Sequence, residues 1–216
     1  MEEKAGQIAN TASNRLYARV APIYAMWVRV GSLGAFPSLY RRSVAELRLS
    51  PGATVLDVCC GTGELFPYLH AALGPDGHII GCDLSQQMLA KASARSKAAG
   101  WSNITLIESD ARVLRLDATP AAAIFSLCLS AIPGRETVLD VVIGFMPPGA
   151  PVVVIDSLTL PGRPLANFYN RLKGRVIGAD PDCRLRDALA ERLDLVDEMH
   201  IRGGVYTLFV GRTRTP

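Results

Sequence analysis

Several patterns are missing from this 216-residue chain, and each absence removes a class of function. No apolar run approaches the roughly 18 residues that cross a bilayer, because Pro147-Pro148-Gly149 interrupts the longest candidate and Asp156 ends it. A spanning segment is excluded; attachment to a membrane surface is not. The acidic start Met1-Glu2-Glu3-Lys4 is followed by no apolar stretch of the kind a secretory signal needs, so a cytoplasmic protein is expected. No concentrated basic run accompanies the net charge of +3, which argues against nucleic acid as a partner. The five cysteines, Cys59, Cys60, Cys82, Cys128 and Cys183, contain no C-x-x-C pair and read as reduced structural thiols, with no metal site expected. Charged residues make up only 20% of the chain against 49% hydrophobic, so a core can form and disorder is ruled out as the main state. There is no internal repeat or long linker, and one domain is expected.

What is present is an alternation. From Thr54 onward, short β-branched apolar runs take turns with longer helix-like segments, as in a parallel sheet with crossover helices. The runs 54–59, 78–82, 104–107, 123–127 and 151–155 read as five buried strands. Leu65, Phe66, Leu69 and Leu73 recur at helical spacing with Gly74 placed to end the helix, and Ser85 is the expected N-cap of the next. Runs 193–199 and 205–210, joined through Gly203-Gly204, predict an antiparallel pair at one edge. The first fifty residues read as helical, with breaks at Pro22, Gly31, Gly34 and Pro37, and are expected to form a lid over a core spanning residues 51–216.

The most informative segment, residues 55–64, is a strand ending in Gly61-Thr62-Gly63 and leading straight into a helix. In an open α/β sheet, ligands bind outside the carboxyl ends of the strands, and glycines let the backbone come close to them. Asp83 ends the second strand about 20 residues after that turn, the distance expected for a carboxylate that accepts from both hydroxyls of a ribose. Asp110, after the third strand, is a candidate acceptor for an adenine amino group. Both Asp57 and Asp83 have a plainer reading as strand-end carboxylates that cap the next turn. The third glycine of a dinucleotide site is lacking and Glu64 stands in the first helical turn, where it would repel a pyrophosphate but not an ammonium and a sulfonium. The loop therefore favours S-adenosylmethionine over NAD.

In these motifs the chain resembles the class I S-adenosylmethionine-dependent methyltransferases, with a Rossmann-like sheet, over roughly residues 54–158. The segment Leu56-Asp57-Val58-Cys59-Cys60-Gly61-Thr62-Gly63 is similar to the ubiquinone and menaquinone biosynthesis enzymes, and residues 17–24 to their N-terminal segment, which small bacterial phosphatidylethanolamine N-methyltransferases share. The resemblance implies cofactor contacts from Tyr17, Asp57, Cys59, Gly61, Thr62, Gly63, Asp83, Leu84, Met88, Asp110, Ala111 and Ser126. Within that set Asp57 would help hold the cofactor's amino group, Asp83 the ribose and Asp110-Ala111 the adenine, with Met88 either against the adenine ring or in the core. Two features depart from the quinone enzymes. Ala25 stands where those families usually carry Asp, and Ser126 to Pro133 lacks their aromatic and arginine-bearing pattern and sits closer to the phospholipid or small-molecule type.

The expected activity is methyl transfer to a small or lipophilic acceptor, such as an amine, phospholipid headgroup, quinol or natural-product-like molecule. The alternative is a cofactor-binding protein of the same fold without transferase activity. Candidates for the group that takes the acceptor's proton are Tyr17, Tyr24, Ser130, Tyr169 and His200, none in a diagnostic motif. His70 and His78 read as solvated structural residues. Arg171, Lys173, Arg175, Arg184 and Arg186 either meet an anionic headgroup or form a solvated face, the latter favoured by the interleaved Asp180, Asp182 and Asp187. Leu16, Val20, Ile23 and Trp27 would give an N-terminal helix one apolar side, for peripheral membrane contact or for covering the site. The oligomeric state is not written in the sequence.

Overall fold

The computed structural model describes residues 36–215. In chain order these form α1 (Phe36–Glu46), β1 (Thr54–Val58), α2 (Phe66–Leu73), β2 (His78–Asp83), α3 (Gln86–Ala98), β3 (Ile104–Glu108), β4 (Ala122–Ser126), α4 (Arg135–Gly144), β5 (Pro151–Asp156), α5 (Pro164–Ile177), α6 (Leu185–Arg192), β6 (Leu193–Ile201) and β7 (Tyr206–Thr213). The seven strands make one sheet in the order β3-β2-β1-β4-β5-β7-β6. Strands β1 to β5 pair in parallel, and β7 runs antiparallel to both β5 and β6, giving the antiparallel edge. The chain turns between β6 and β7 through the short helical turn Arg202–Gly204, where Gly203 has φ 65°.

Alternation along the strands divides the apolar residues between two layers. Leu56, Val58, Phe125, Val152 and Val154 pack with Val138, Leu139 and Val142 of α4 and with Leu185 and Leu189 of α6. Val55, Ile79, Ile124, Val153 and Ile155 pack on the opposite face with α1, α2 and α3. The expected helical stripes are thus core faces. Pro37, expected to break the N-terminal helix, instead stands in the first turn of α1, where its missing N–H would have had no partner. Residues 1–35 of the expected lid, with Leu16, Tyr17, Val20, Ile23, Tyr24, Ala25 and Trp27, lie outside the described residues.

All the parallel strands end on one rim, and Phe66 fixes the geometry there. Its side chain is fully buried at the start of α2. A Cβ at Gly63 would stand 2.6 Å from its ring, and one at Gly81 3.0 Å from both its Cζ and Cys60 Sγ. The missing Cβ atoms let one ring wedge beneath the glycine turn and against β2. Phe66→Ala is expected to cost about 3–5 kcal/mol of stability by leaving a cavity that this rim cannot close. Urea denaturation checks this; a loss under about 1 kcal/mol would show that the wedge is not needed.

Candidate active site

The loop leaving β1 begins with Cys59 at φ 56°, an uncommon conformation for a residue with a side chain, and passes through Gly61 (φ 55°) and Gly63 (φ 72°). A Cβ at Gly61 would meet nothing within 4 Å, so the turn leaves open space on that side. Asp83 holds the loop in place. Its Oδ2 accepts from Gly61 N at 2.9 Å and its Oδ1 from Ser85 N at 2.8 Å, so one carboxylate ties the segments that follow β1 and β2. Burial pushes the Asp83 carboxyl up, and these N–H groups oppose that rise. Ser85 caps α3 as expected, accepting from Met88 N.

Asp57 is in a different position. It is 1% exposed near the end of β1, and neither of its oxygens has a hydrogen-bond partner among the described residues. Burial raises its carboxyl well above the usual range, and the Asp83 charge adds to the rise. A buried carboxyl without donors is costly unless something supplies them, and a ligand ammonium does so. The open side of Gly61, the unpartnered Asp57 and the lack of any ion pair on these two carboxylates among the described residues fit a ligand carrying positive charge.

Glu64, expected to repel an anion above the loop, is turned away from it. Arg95 of α3 pairs with the Glu64 carboxylate and donates from Nε to the Thr62 carbonyl at 2.9 Å, while Thr62 Oγ1 donates to Glu64 at 3.2 Å. The residue clamps the loop to α3, so its charge is compensated and the missing third glycine is the surviving argument against a pyrophosphate. Asp110 is bound on both oxygens by the Arg112 guanidinium, at 2.6–3.2 Å, and accepts from Arg112 N to cap the turn Ala111–Val113. It stands at the same rim, but its carboxylate already has donors. Met88 and Ala111 are buried, and Leu84 and Ser126 are half-buried.

A second cluster, beyond the strand-end motifs, lies at the end of β5. The buried Asp156 accepts from Ser130 Oγ at 2.6 Å, Ser130 N at 2.9 Å and Ser157 N at 2.8 Å. Lys173 of α5 donates to Ser157 Oγ at 2.5 Å and stands 5.2 Å from the Tyr206 ring centre and 6.0 Å from that of Tyr169. Burial lowers the Lys173 ammonium to about 8, and the Asp156 charge opposes the fall. Burial pushes the Tyr206 hydroxyl up to about 12, Tyr169 adding to the rise and Arg202 opposing it.

This arrangement sorts the expected proton acceptors. Ser130 uses its hydroxyl as a donor to Asp156 and so does not serve as the base. His200 is exposed on β6, 3.4 Å from Thr207 and 3.8 Å from Glu198, and takes no part in the cluster. Tyr169 does take part, while Tyr17 and Tyr24 fall outside the described residues. His70 stacks on Trp101, and His78 meets Thr105 at the opposite end of β2. The basic segment is solvated at Arg171, Arg184 and Arg186, which pair with Asp182, Asp187 and Glu198. Lys173 departs from that reading. The signals that could have found it were the polar pair Asp156-Ser157 at a strand end and the four-residue step from Tyr169 to Lys173. Among the described residues the five cysteines are free thiols, burial pushing those of Cys60 and Cys82 up, and no group of three or more His, Cys, Asp or Glu side chains is arranged to hold a metal.

The family described as a methyltransferase domain matches residues 55–149, the stretch from β1 to the turn before β5. Demethylmenaquinone methyltransferase from Listeria welshimeri is 27% identical over 169 residues, covering 76% of this chain and 72% of its own. Over β1 to β4 the chain is thus similar to S-adenosylmethionine-dependent methyltransferases. The chain shares its fold with a SAM-dependent methyltransferase from Aquifex aeolicus, at TM-score 0.61 and 19% identity, with 81% of this chain and 89% of that one covered. It likewise shares the fold of geranyl diphosphate C-methyltransferase from Streptomyces coelicolor, at TM-score 0.70 and 13% identity over 82% and 80% of the two chains.

The unpartnered carboxyl at the rim sets an expectation for stability. The raised Asp57 carboxyl means that the folded chain holds this proton more tightly than the unfolded chain does. Its contribution is complete below the ordinary carboxyl range near 3.8 and is lost as pH rises through the raised value. Asp57→Asn should therefore stabilise the unliganded protein at neutral and alkaline pH by about 1 kcal/mol, or roughly 2–4 °C for a chain of this size. Thermal melts over a pH series check it; a variant less stable than wild type at every pH would show that Asp57 is partnered.

Proposed function

We propose that the protein binds S-adenosylmethionine along the rim of β1, β2 and β4 and methylates a lipophilic, quinol-like small molecule. The unpartnered Asp57 is the observation that carries the cofactor half. Its buried carboxylate receives the amino group of the methionine moiety, which passes Cys59, Gly61, Thr62 and Gly63. Asp83 uses one lone pair of each oxygen on a backbone N–H and has capacity left for ribose hydroxyls. Leu84, Met88, Asp110 and Ala111 border the adenine, and Ser126 the methyl-bearing end. Tyr17 is assigned to the same cofactor by resemblance. When bound, the cofactor supplies a methyl group on a sulfonium, and the task of the chain is alignment and exclusion of water.

For the acceptor, the similarity to demethylmenaquinone methyltransferases is joined by a feature of α5. Leu165, Phe168, Leu172 and Val176 lie on one side of that helix and are 85%, 71%, 52% and 51% exposed. Lys173 and Tyr169 border this stripe toward the site, and Arg163, Arg171 and Arg175 accompany it. An apolar stripe with cationic neighbours suits an anionic lipid surface, from which a lipophilic acceptor would reach the end of β5. Contact of this kind makes the protein peripheral, in the cytoplasm. No described helix is long and apolar enough to cross a membrane.

Incubation with S-adenosylmethionine and a reduced demethylnaphthoquinol in detergent, read by mass spectrometry, should give the methylated quinol and S-adenosylhomocysteine in equal amounts. Calorimetry should show S-adenosylmethionine binding that weakens as pH falls through the raised Asp57 range, since protonated Asp57 cannot pair with the ammonium. Binding without turnover on quinols, phenols, amines or phospholipids would return the protein to the non-transferring alternative.

Co-sedimentation with vesicles containing phosphatidylglycerol should be substantial at low salt. It should drop several-fold with Phe168→Glu, while cofactor affinity is unchanged. Equal sedimentation of variant and wild type would remove α5 from the membrane reading.

A further inference from the structure

We infer that the Lys173 amine is the catalytic base that takes the acceptor's proton, held against Ser157 and between the Tyr169 and Tyr206 rings at the end of β5. The inference rests on the proposed acceptor class, a molecule that must lose one proton as it gains a methyl group.

The placement is specific. The β4 and β5 ends are locked together by Leu127 N donating to Ile155 O at 2.7 Å, so Asp156 and Ser157 adjoin the strand end that carries Ser126. Lys173 reaches this corner from α5, and the Ser157 hydroxyl takes one of its donors at 2.5 Å. Three acidic or hydroxyl groups at the corner are unsuited to the task. Asp156 accepts three hydrogen bonds, Ser130 is spent on Asp156, and Tyr206 deprotonates only near 12. Among the described residues at this corner, Lys173 therefore offers a nitrogen that can be neutral near physiological pH.

The charged groups facing it are Asp156 from β5 and the ring faces of Tyr169 and Tyr206, which favour the ammonium, with Arg202 nearby at the turn before β7. Burial opposes them and leaves the amine titrating near 8.

The proton balance is simple. The acceptor hydroxyl gives its proton to the neutral amine, and the electron-rich acceptor carbon or oxygen forms the bond to the methyl group. The methyl–sulfur bond breaks with its electron pair left on sulfur, and the resulting Lys173 ammonium returns its proton to water after product leaves.

Two measurements decide it. Competitive acylation with acetic anhydride over a pH series, read peptide by peptide, needs neither cofactor nor acceptor. Lys173 should react with a midpoint near 8, well below that of a free lysine amine. In the quinol assay kcat should rise with pH to a plateau through the same midpoint. Lys173→Arg, which keeps the charge but cannot lose its proton, should lower kcat about 10²–10⁴-fold with little change in KM. Lys173→Ala should be partly rescued by added methylamine. A Lys173 midpoint at that of a free lysine amine, or a Lys173→Arg enzyme of full activity and unchanged pH profile, would overturn the assignment. If wild type methylates no quinol while Lys173 still titrates low, the acceptor class has failed and the amine has not; cofactor calorimetry on each variant separates both from misfolding.

Discussion

Two backbone N–H groups on one carboxylate organise the rim of this sheet. Asp83 receives Gly61 from the loop after β1 and Ser85 from the start of α3, so turns from different crossover units are fixed by a single side chain. The loop is held again from the side by Arg95 and from below by Phe66, whose ring occupies the room left by the missing side chains of Gly63 and Gly81. Preorganisation of this kind lets the neighbouring carboxylate, Asp57, stay without donors of its own. Two acidic groups on one face thus differ: Asp83 is tied to two backbone N–H groups, and Asp57 has no hydrogen-bond partner among the described residues.

The other half of the rim is built differently. Asp156 is saturated by donors from its own neighbourhood, and Lys173 comes from α5, a helix whose outer side is apolar and exposed. Strain concentrates between the halves. Cys59 and Leu127, which follow β1 and β4, both have φ near 56°, and the Cys128 thiol approaches the Val58 carbonyl at 3.8 Å. These non-glycine residues in the left-handed region cost about 1 kcal/mol or more each, and they turn the chain sharply away from adjacent strands just where a crevice opens.

How much of this was legible in the sequence follows from the range of the forces involved. The strands β1 to β5 were readable because buried parallel strands are continuous apolar runs, and the Asp57, Gly61, Gly63 and Asp83 spacing because the turn requires it locally. The insertion of β7 between β5 and β6 was not readable in detail, since it depends on pairing between Val153 and Val210, far apart in sequence. Glu64 was misjudged for the same reason, its partner Arg95 lying a helix away. Lys173 stood in a run of alternating charge that describes its neighbours well; only the fold shows that Arg171 and Arg175 remain in water while Lys173, between them, is drawn under the Tyr206 ring.

The division of the rim also explains why the family resemblance reaches further on one side than the other. A cofactor site fixed by backbone geometry depends on residues close together in sequence, and the methyltransferase-domain match covers that stretch, residues 55–149, ending before β5. The proposed acceptor corner rests on Asp156, Ser157, Tyr169, Lys173 and Tyr206, all beyond it. Chemistry common to many methyltransferases is thereby carried by a rigid, locally encoded cradle. On the proposed reading the choice of acceptor falls to side chains on α5 and β7, where a substitution changes packing at a helix surface without disturbing the loop that Asp83 holds.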